Sequence, residues 1–168
     1  MAWKPDHERH QQIQGEFANK VTAKRQQLRP RGQGLEADPR VRKAIELHAM
    51  DRAIRVYEEH GYTVVDVSGN HPYDLLCNKP GKKARRVEVK GTRGDDTMVN
   101  LTSGEVTAAR EDLAVTDLFI VHGVKIEDGE AGPKASGGKV RVIQGWKPDD
   151  ADLEPTQFRY KVPSRSEV

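Results

Sequence analysis

The chain has 168 residues, enough for one domain with an extension, and its 35% hydrophobic content is too high for disorder throughout. Its net charge of +2 selects no partner for the chain as a whole. The single cysteine, Cys77, excludes an intramolecular disulfide and a Cys-rich zinc site, and no apolar run approaches the roughly 20 residues that span a bilayer.

Residues 1–36 are rich in Gln, Arg and Lys and poor in apolar side chains. Ten Lys/Arg face five acids over residues 1–43, a local basic zone of the kind that attracts phosphate backbones. The start, MAWKPDHERHQQIQGEF, lacks the apolar core of a signal peptide, so a cytoplasmic protein is expected. Phe17 and Val21 are four apart and allow a short helix over 8–28, which RPRGQG (29–34) breaks. This region reads as a basic arm or linker that orders against a partner or a second subunit.

A helix over 39–60 follows. Asp38 is an N-cap residue, Pro39 suits the first helical position and Gly61 ends the helix. Leu47, Met50, Ile54 and Tyr57 keep helical spacing, with Val41, Ile45, Ala49, Ala53 and Val56 widening the apolar face. YTVVDVS (62–68), YDLLCN (73–78) and RRVEVKGT (85–92) read as strands, separated by the turns SGNHP and KPGKK. Cys77, beside Leu75 and Leu76, reads as core. MVNL (98–101) reads as a brief strand. TSGEVTAARED (102–112) reads as a helix with a Thr102–Glu105 capping box. DLFIVHGV (117–124) is the most apolar strand, EDGEAGPKASGG (127–138) a flexible loop and KVRVIQG (139–145) a last strand. The order is that of an α/β domain, a mixed sheet with helices packed on it. It occupies 37–146, between the arm at 1–36 and a Pro- and Asp-rich tail at 147–168.

The chemistry-bearing candidates cluster on two strands. Residues two apart on a strand share a face, so Glu88 and Lys90 point together while Val87 and Val89 pack the other way. From spacing alone, the solvent face of an ordinary amphipathic strand accounts for that pair. If 73–78 and 85–90 form a hairpin over KPGKK, however, Asp74 approaches Glu88 near one sheet end. Two converging carboxylates make an oxygen-rich site suited to Mg²⁺ or Mn²⁺. Such an ion polarises a phosphoryl oxygen and acidifies water, and a neighbouring lysine stabilises charge on the phosphate.

PYD (72–74) and EVK (88–90), in helix–strand–strand–strand–helix–strand order, resemble the PD-(D/E)XK nuclease superfamily. The set ELHAM (46–50), HGYTVVDVS, PYDLLC, VEVKGT and LTSGEVTAA resembles more closely its NO VEIN C-terminal-like branch, over about residues 40–125. The resemblance implies a restriction-endonuclease-like sheet. It implies Asp74 and Glu88 as metal ligands, the Val89 backbone carbonyl as a third, Lys90 as the catalytic lysine and Glu46 as a further carboxylate near the metal. Tyr73, between Pro72 and Asp74, departs from the literal motif. Its implied activity is Mg²⁺- or Mn²⁺-dependent phosphodiester hydrolysis, in DNA rather than RNA, in restriction, defence or repair.

Several candidates have plainer explanations. A turn carboxylate is the plainer account of Asp74, but the apolar Leu75, Leu76 and Cys77 that follow argue for a strand entering the core. Glu46 equally suits a helix-surface residue, and Glu105 is better explained as a cap than as a metal ligand. His122 reads as a sheet histidine rather than a ligand, whereas His48, His71 and Thr92 lie nearer the candidate site. Lys79, Lys82, Lys83, Arg85, Arg86 and Arg93 crowd one hairpin as candidate phosphate contacts, which would position nucleic acid without reading sequence. Few aromatics interleave with them, which disfavours stacking on single strands. The small domain leaves room for a homodimer or for a subunit of a larger assembly. A second reading keeps the fold and binds nucleic acid without cleaving it.

Overall fold

In a computed structural model of the chain, the residues described are 36–111 and 113–157. The helix expected over 8–28 lies outside them.

Helix α1 spans Pro39–Glu59. Asp38 caps it, Oδ1 accepting the Arg40 N–H at 2.8 Å. The Arg40 guanidinium also bonds this carboxylate and holds it below the usual carboxyl range. At the other end Tyr62 N–H reaches Tyr57 O (3.0 Å) and Gly61 N–H reaches Glu58 O (2.8 Å). That is a Schellman ending, and it needs the left-handed φ of +79° that Gly61 supplies. The buried row is Ile45, Ala49, Ala53 and Tyr57, at four-residue spacing. Leu47, expected on the same face, is instead 56% exposed. Two residues on from Ile45 is about 200° round the helix, nearly the opposite side.

The strands are β1 (Thr63–Asp66), β2 (Leu75–Asn78), β3 (Arg85–Gly91), β4 (Val115–Gly129) and β5 (Gly132–Ile143). They form one five-stranded sheet in the order β1-β2-β3-β4-β5, so β3 is the middle strand. β1 with β2 and β2 with β3 are antiparallel. Helix α2 (Ser103–Arg110) carries the crossover from β3 to β4. Thr92 N–H bonds Val121 O, and Val124 N–H bonds Thr92 O. One residue reaching two positions on its neighbour marks a parallel pair, so the sheet is mixed and the fold α/β. The capping box of α2 forms as expected, Thr102 N–H to Glu105 Oε2 (2.8 Å) and Glu105 N–H to Thr102 Oγ1 (3.3 Å).

Two expected elements differ. Residues 98–101 form no strand. The segment before them is shaped by local bonds instead, with Thr97 N–H on Asp95 (3.1 Å) and Arg141 on Asp96 (3.0 Å). Residues 127–138 are not a loop, because only Glu130 and Ala131 turn between β4 and β5. β5 is an edge strand, where Pro133 and the glycines at 137 and 138 are tolerated.

The described chain falls into two compact units. One comprises residues 36–50, 90–100 and 120–141. Within it, Gly91 meets α1 so closely that a Cβ there would lie 2.7 Å from Ile45 Cγ2 and 2.9 Å from Ile45 O. The other comprises residues 51–89, 101–119 and 142–157. Its core holds Leu75, Cys77, Val87 and Phe119, all fully buried. Trp146 N–H bonds Thr116 O at 2.7 Å, and Arg110 of α2 donates to Pro148 O (2.9 Å) and Asp150 (2.7 Å). The chain after β5 is thereby tied to α2 at least as far as Asp150.

Candidate functional site

The middle strand positions the site. Along β3, Val87, Glu88 and Val89 are all buried and Lys90 is half-buried. Glu88, which spacing alone would leave on a solvent face, is only 3% exposed. A middle strand can be covered on both faces, which hydrophobic alternation alone does not reveal. A carboxylate this deep is costly unless engaged, and Glu88 does have partners within the fold.

Asp74 lies just before β2. Its N–H bonds Val87 O (3.0 Å) and its carbonyl accepts from Val67 N–H (2.8 Å). Its carboxylate Oδ2 accepts the Val89 N–H at 2.8 Å. Leu75 pairs with Val87. Asp74 breaks that register, because its N–H bonds the same residue, Val87, that Leu75 faces, a bulge at the entry of β2. The Asp74 side chain thus stands in for the next main-chain acceptor of the ladder. Lys90 is the residue after Val89 on the same strand. The α2 end carrying Gly104 lies alongside, a Cβ on Gly104 falling 3.6 Å from Pro72 Cβ.

The other candidates are dispersed. Glu46 is exposed on α1 and paired with Lys43 at 2.7 Å. His48 Nε2 lies 2.9 Å from Gly137 O, and His71 stacks near Tyr73 with ring centroids 5.2 Å apart. Thr92 is buried, its Oγ1 accepting the Gly94 N–H. Glu105 makes the capping box. Of the basic cluster, Lys79 donates to His60 O (2.7 Å) and sits over the Tyr62 ring. Arg86 pairs with Glu111 (3.1 Å) and lies over the Tyr73 ring. Arg93 pairs with Glu36 at 3.2 Å. Lys82 and Lys83 are exposed.

Arg85 belongs to a network that the sequence reading missed. Asp117, 1% exposed, accepts from Tyr57 Oη (2.6 Å), Arg85 (2.5 Å) and Gly145 N–H (2.9 Å). Burial and the Asp117 carboxylate push the Tyr57 hydroxyl pKa well up. Burial opposes the charge on Arg85, but Asp117 outweighs it and the pKa rises. Burial pushes the Cys77 thiol up to about 12. The available signal was an acid at the head of the most apolar strand, since a buried charge requires a partner.

Asp74, Glu88 and the Val89 carbonyl offer hard oxygen donors, the type that Mg²⁺ and Mn²⁺ take. Among the described residues no group of three or more His, Cys, Asp or Glu is placed to hold a metal ion. Two carboxylates and one main-chain oxygen are thus the donors that such an ion would have here. Nor, among the described residues, is any helix long and apolar enough to cross a membrane.

The molecule is thus an α/β protein with a mixed sheet, with Asp74 and Glu88 both at its β2–β3 hairpin. Residues 45–131, just over half the chain, match the family described as Protein NO VEIN, C-terminal, and the chain belongs to that family. A search of curated proteins finds no match, and a search of solved structures finds none either.

Proposed function

We propose that this chain is a metal-dependent nuclease of PD-(D/E)XK type that hydrolyses phosphodiester bonds in DNA. The observation that carries the reading is Glu88, a carboxylate buried in the middle strand, whose neighbour Val89 donates its N–H to a second carboxylate, Asp74. Asp74 and Glu88, with the Val89 carbonyl, would hold Mg²⁺ or Mn²⁺. Bound there, the ion supplies charge to polarise the phosphoryl group and acidify water.

The chain's own residues do the rest. The Asp74–Val89 bond fixes one carboxylate before any ligand arrives, which lowers the cost of organising the site. Lys90 supplies positive charge next to the carboxylates and stabilises negative charge that builds on the phosphate. Lys82 and Lys83 contact the backbone of the nucleic acid. Restriction, defence or repair, in the cytoplasm, is the setting this chemistry suits, with a homodimer or a larger assembly supplying specificity.

Calorimetric titration of the full chain with Mn²⁺ tests the site. Saturable binding that Asp74→Asn and Glu88→Gln each weaken at least tenfold supports it. Binding unchanged in both variants refutes it.

A further inference from the structure

We infer that Tyr73 and Arg86 are positioning residues that hold the Asp74 carboxylate in place. Tyr73, which interrupts the literal motif between Pro72 and Asp74, thereby has a role of its own. That the carboxylate serves a metal ion rests on the nuclease reading; that it is held from Tyr73 does not. Every residue involved lies within the unit comprising residues 51–89, 101–119 and 142–157.

Asp74 sits at a bulge, where the regular ladder does not fix it. Tyr73, one residue earlier, makes no backbone hydrogen bond among the described residues. Its ring does the holding instead. The Arg86 guanidinium carbon lies 5.0 Å from the ring centroid, within the range of a cation–π contact. The His71 ring packs against the same side chain at 5.2 Å, tilted by 50°. Arg86 and Glu88 are two apart on β3 and share a face, so the stack lies on the face that carries Glu88. The peptide joining Tyr73 to Asp74 carries the N–H that bonds Val87 O, so a displaced ring moves that peptide and the carboxylate with it.

Arg86 is itself held. Its side chain is 14% exposed, so the contact with the ring is largely desolvated and correspondingly stronger. One of its nitrogens donates to Glu111 Oε2 (3.1 Å) and to Ala108 O (3.4 Å), both at the C-terminal end of α2. A planar guanidinium can stack and donate at once, which an ammonium cannot match. At the other end of α2, a Cβ on Gly104 would lie 3.6 Å from Pro72 Cβ. Helix α2 thus bears on the segment before Asp74 from both of its ends, and Arg86 carries one of the two contacts.

The test is amide hydrogen exchange of the full chain, followed by NMR at the Val89 N–H, which reports the bond to Asp74 directly. The Trp146 N–H, bonded to Thr116 O at 2.7 Å in the same unit, is the internal reference. Tyr73→Leu removes the ring and Arg86→Met removes the cation. Each should speed Val89 exchange about three- to tenfold relative to Trp146, the scale of one largely desolvated cation–π contact. The double variant should exchange no faster than the faster single one, because the two side chains act as a unit. Tyr73→Phe keeps the ring and should match the wild type. Calorimetry with Mn²⁺ should show affinity weakened by a similar factor in Tyr73→Leu and restored in Tyr73→Phe. Unchanged Val89 exchange in Tyr73→Leu, equal acceleration at Val89 and Trp146, additive effects in the double variant, or Mn²⁺ affinity equal to that of a binding wild type would overturn the inference. A wild type that binds no Mn²⁺ would refute the metal site instead, and the Val89 comparison would still decide the positioning role.

Discussion

The Asp74 carboxylate accepts the backbone N–H of Val89 at 2.8 Å, tying the entry of β2 to the middle of β3. The same side chain is a proposed metal ligand, so its two roles must be separated. Asp74→Asn keeps an acceptor oxygen and removes the charge, whereas Asp74→Ala removes both. Urea unfolding should show Asp74→Ala less stable by about 1.5–3 kcal/mol, the range for a hydrogen bond to a charged group. Asp74→Asn should lose less than half of that while losing Mn²⁺ binding as fully as Asp74→Ala does.

Gly91 lies where a Cβ would meet Ile45 O at 2.9 Å and Ile45 Cγ2 at 2.7 Å. Backbone cannot swing aside as a flexible side chain can, so α1 must shift. Gly91→Ala should cost about 1–3 kcal/mol by overpacking, read as a lower urea midpoint at unchanged m. A stability equal to that of the wild type would show that the helix accommodates the methyl group freely.

The glycine after VEVK shows how unevenly the sequence disclosed the fold. The caps of both helices, the first three strands and the buried thiol of Cys77 were legible, because Asp38, Gly61, Thr102 and Glu105 act through local geometry. The depth of Glu88 was not, because alternation reports one face of a strand and not what covers the other. β5 was hidden by glycines that an edge strand tolerates. The partners of Arg85 and Arg86 were hidden for a related reason. RR beside a basic turn looks like a phosphate clamp until Asp117 and Glu111 are brought in from 32 and 25 residues away.

Those partners divide the basic cluster into two functional classes. Asp117→Ala should destabilise the protein by about 3–5 kcal/mol, because it strands the Arg85 charge and the Tyr57 hydroxyl in the interior. Lys82→Ala and Lys83→Ala should leave the urea midpoint unchanged. Each should reduce the salt dependence of duplex binding by about 0.9 in log–log slope for every phosphate that the lysine had neutralised. Fluorescence anisotropy across a salt series checks this, and an unchanged slope would remove that lysine from the interface.

Alkaline pH should weaken the fold in a defined window. Cys77, ordinarily near 9.0, is held up to about 12, and Tyr57 is also raised above its ordinary 10.0. The unfolded chain therefore releases these protons first, and above pH 9 it binds fewer of them than the folded chain. Stability is full below pH 9 and falls as pH rises toward 12, by about 1.4 kcal/mol per pH unit for each group still protonated only in the fold. Urea midpoints at pH 8, 9, 10 and 11 test this, and Cys77→Ala should remove the part of the slope that begins near pH 9.

The nuclease reading is tested most directly by plasmid nicking with the full chain in Mg²⁺ or Mn²⁺, comparing wild type with Glu88→Gln and Lys90→Ala. Metal-dependent conversion of supercoiled to open-circular or linear DNA is the expected result for the wild type. Both variants, folded by circular dichroism, should lose at least about a hundredfold in rate, the scale at which losing one general-acid–base or charge-stabilising group is felt. Equal cleavage by the variants would contradict the assignment of these residues. Binding of DNA without cleavage under either ion would instead identify a non-catalytic nucleic-acid-binding module on the same fold.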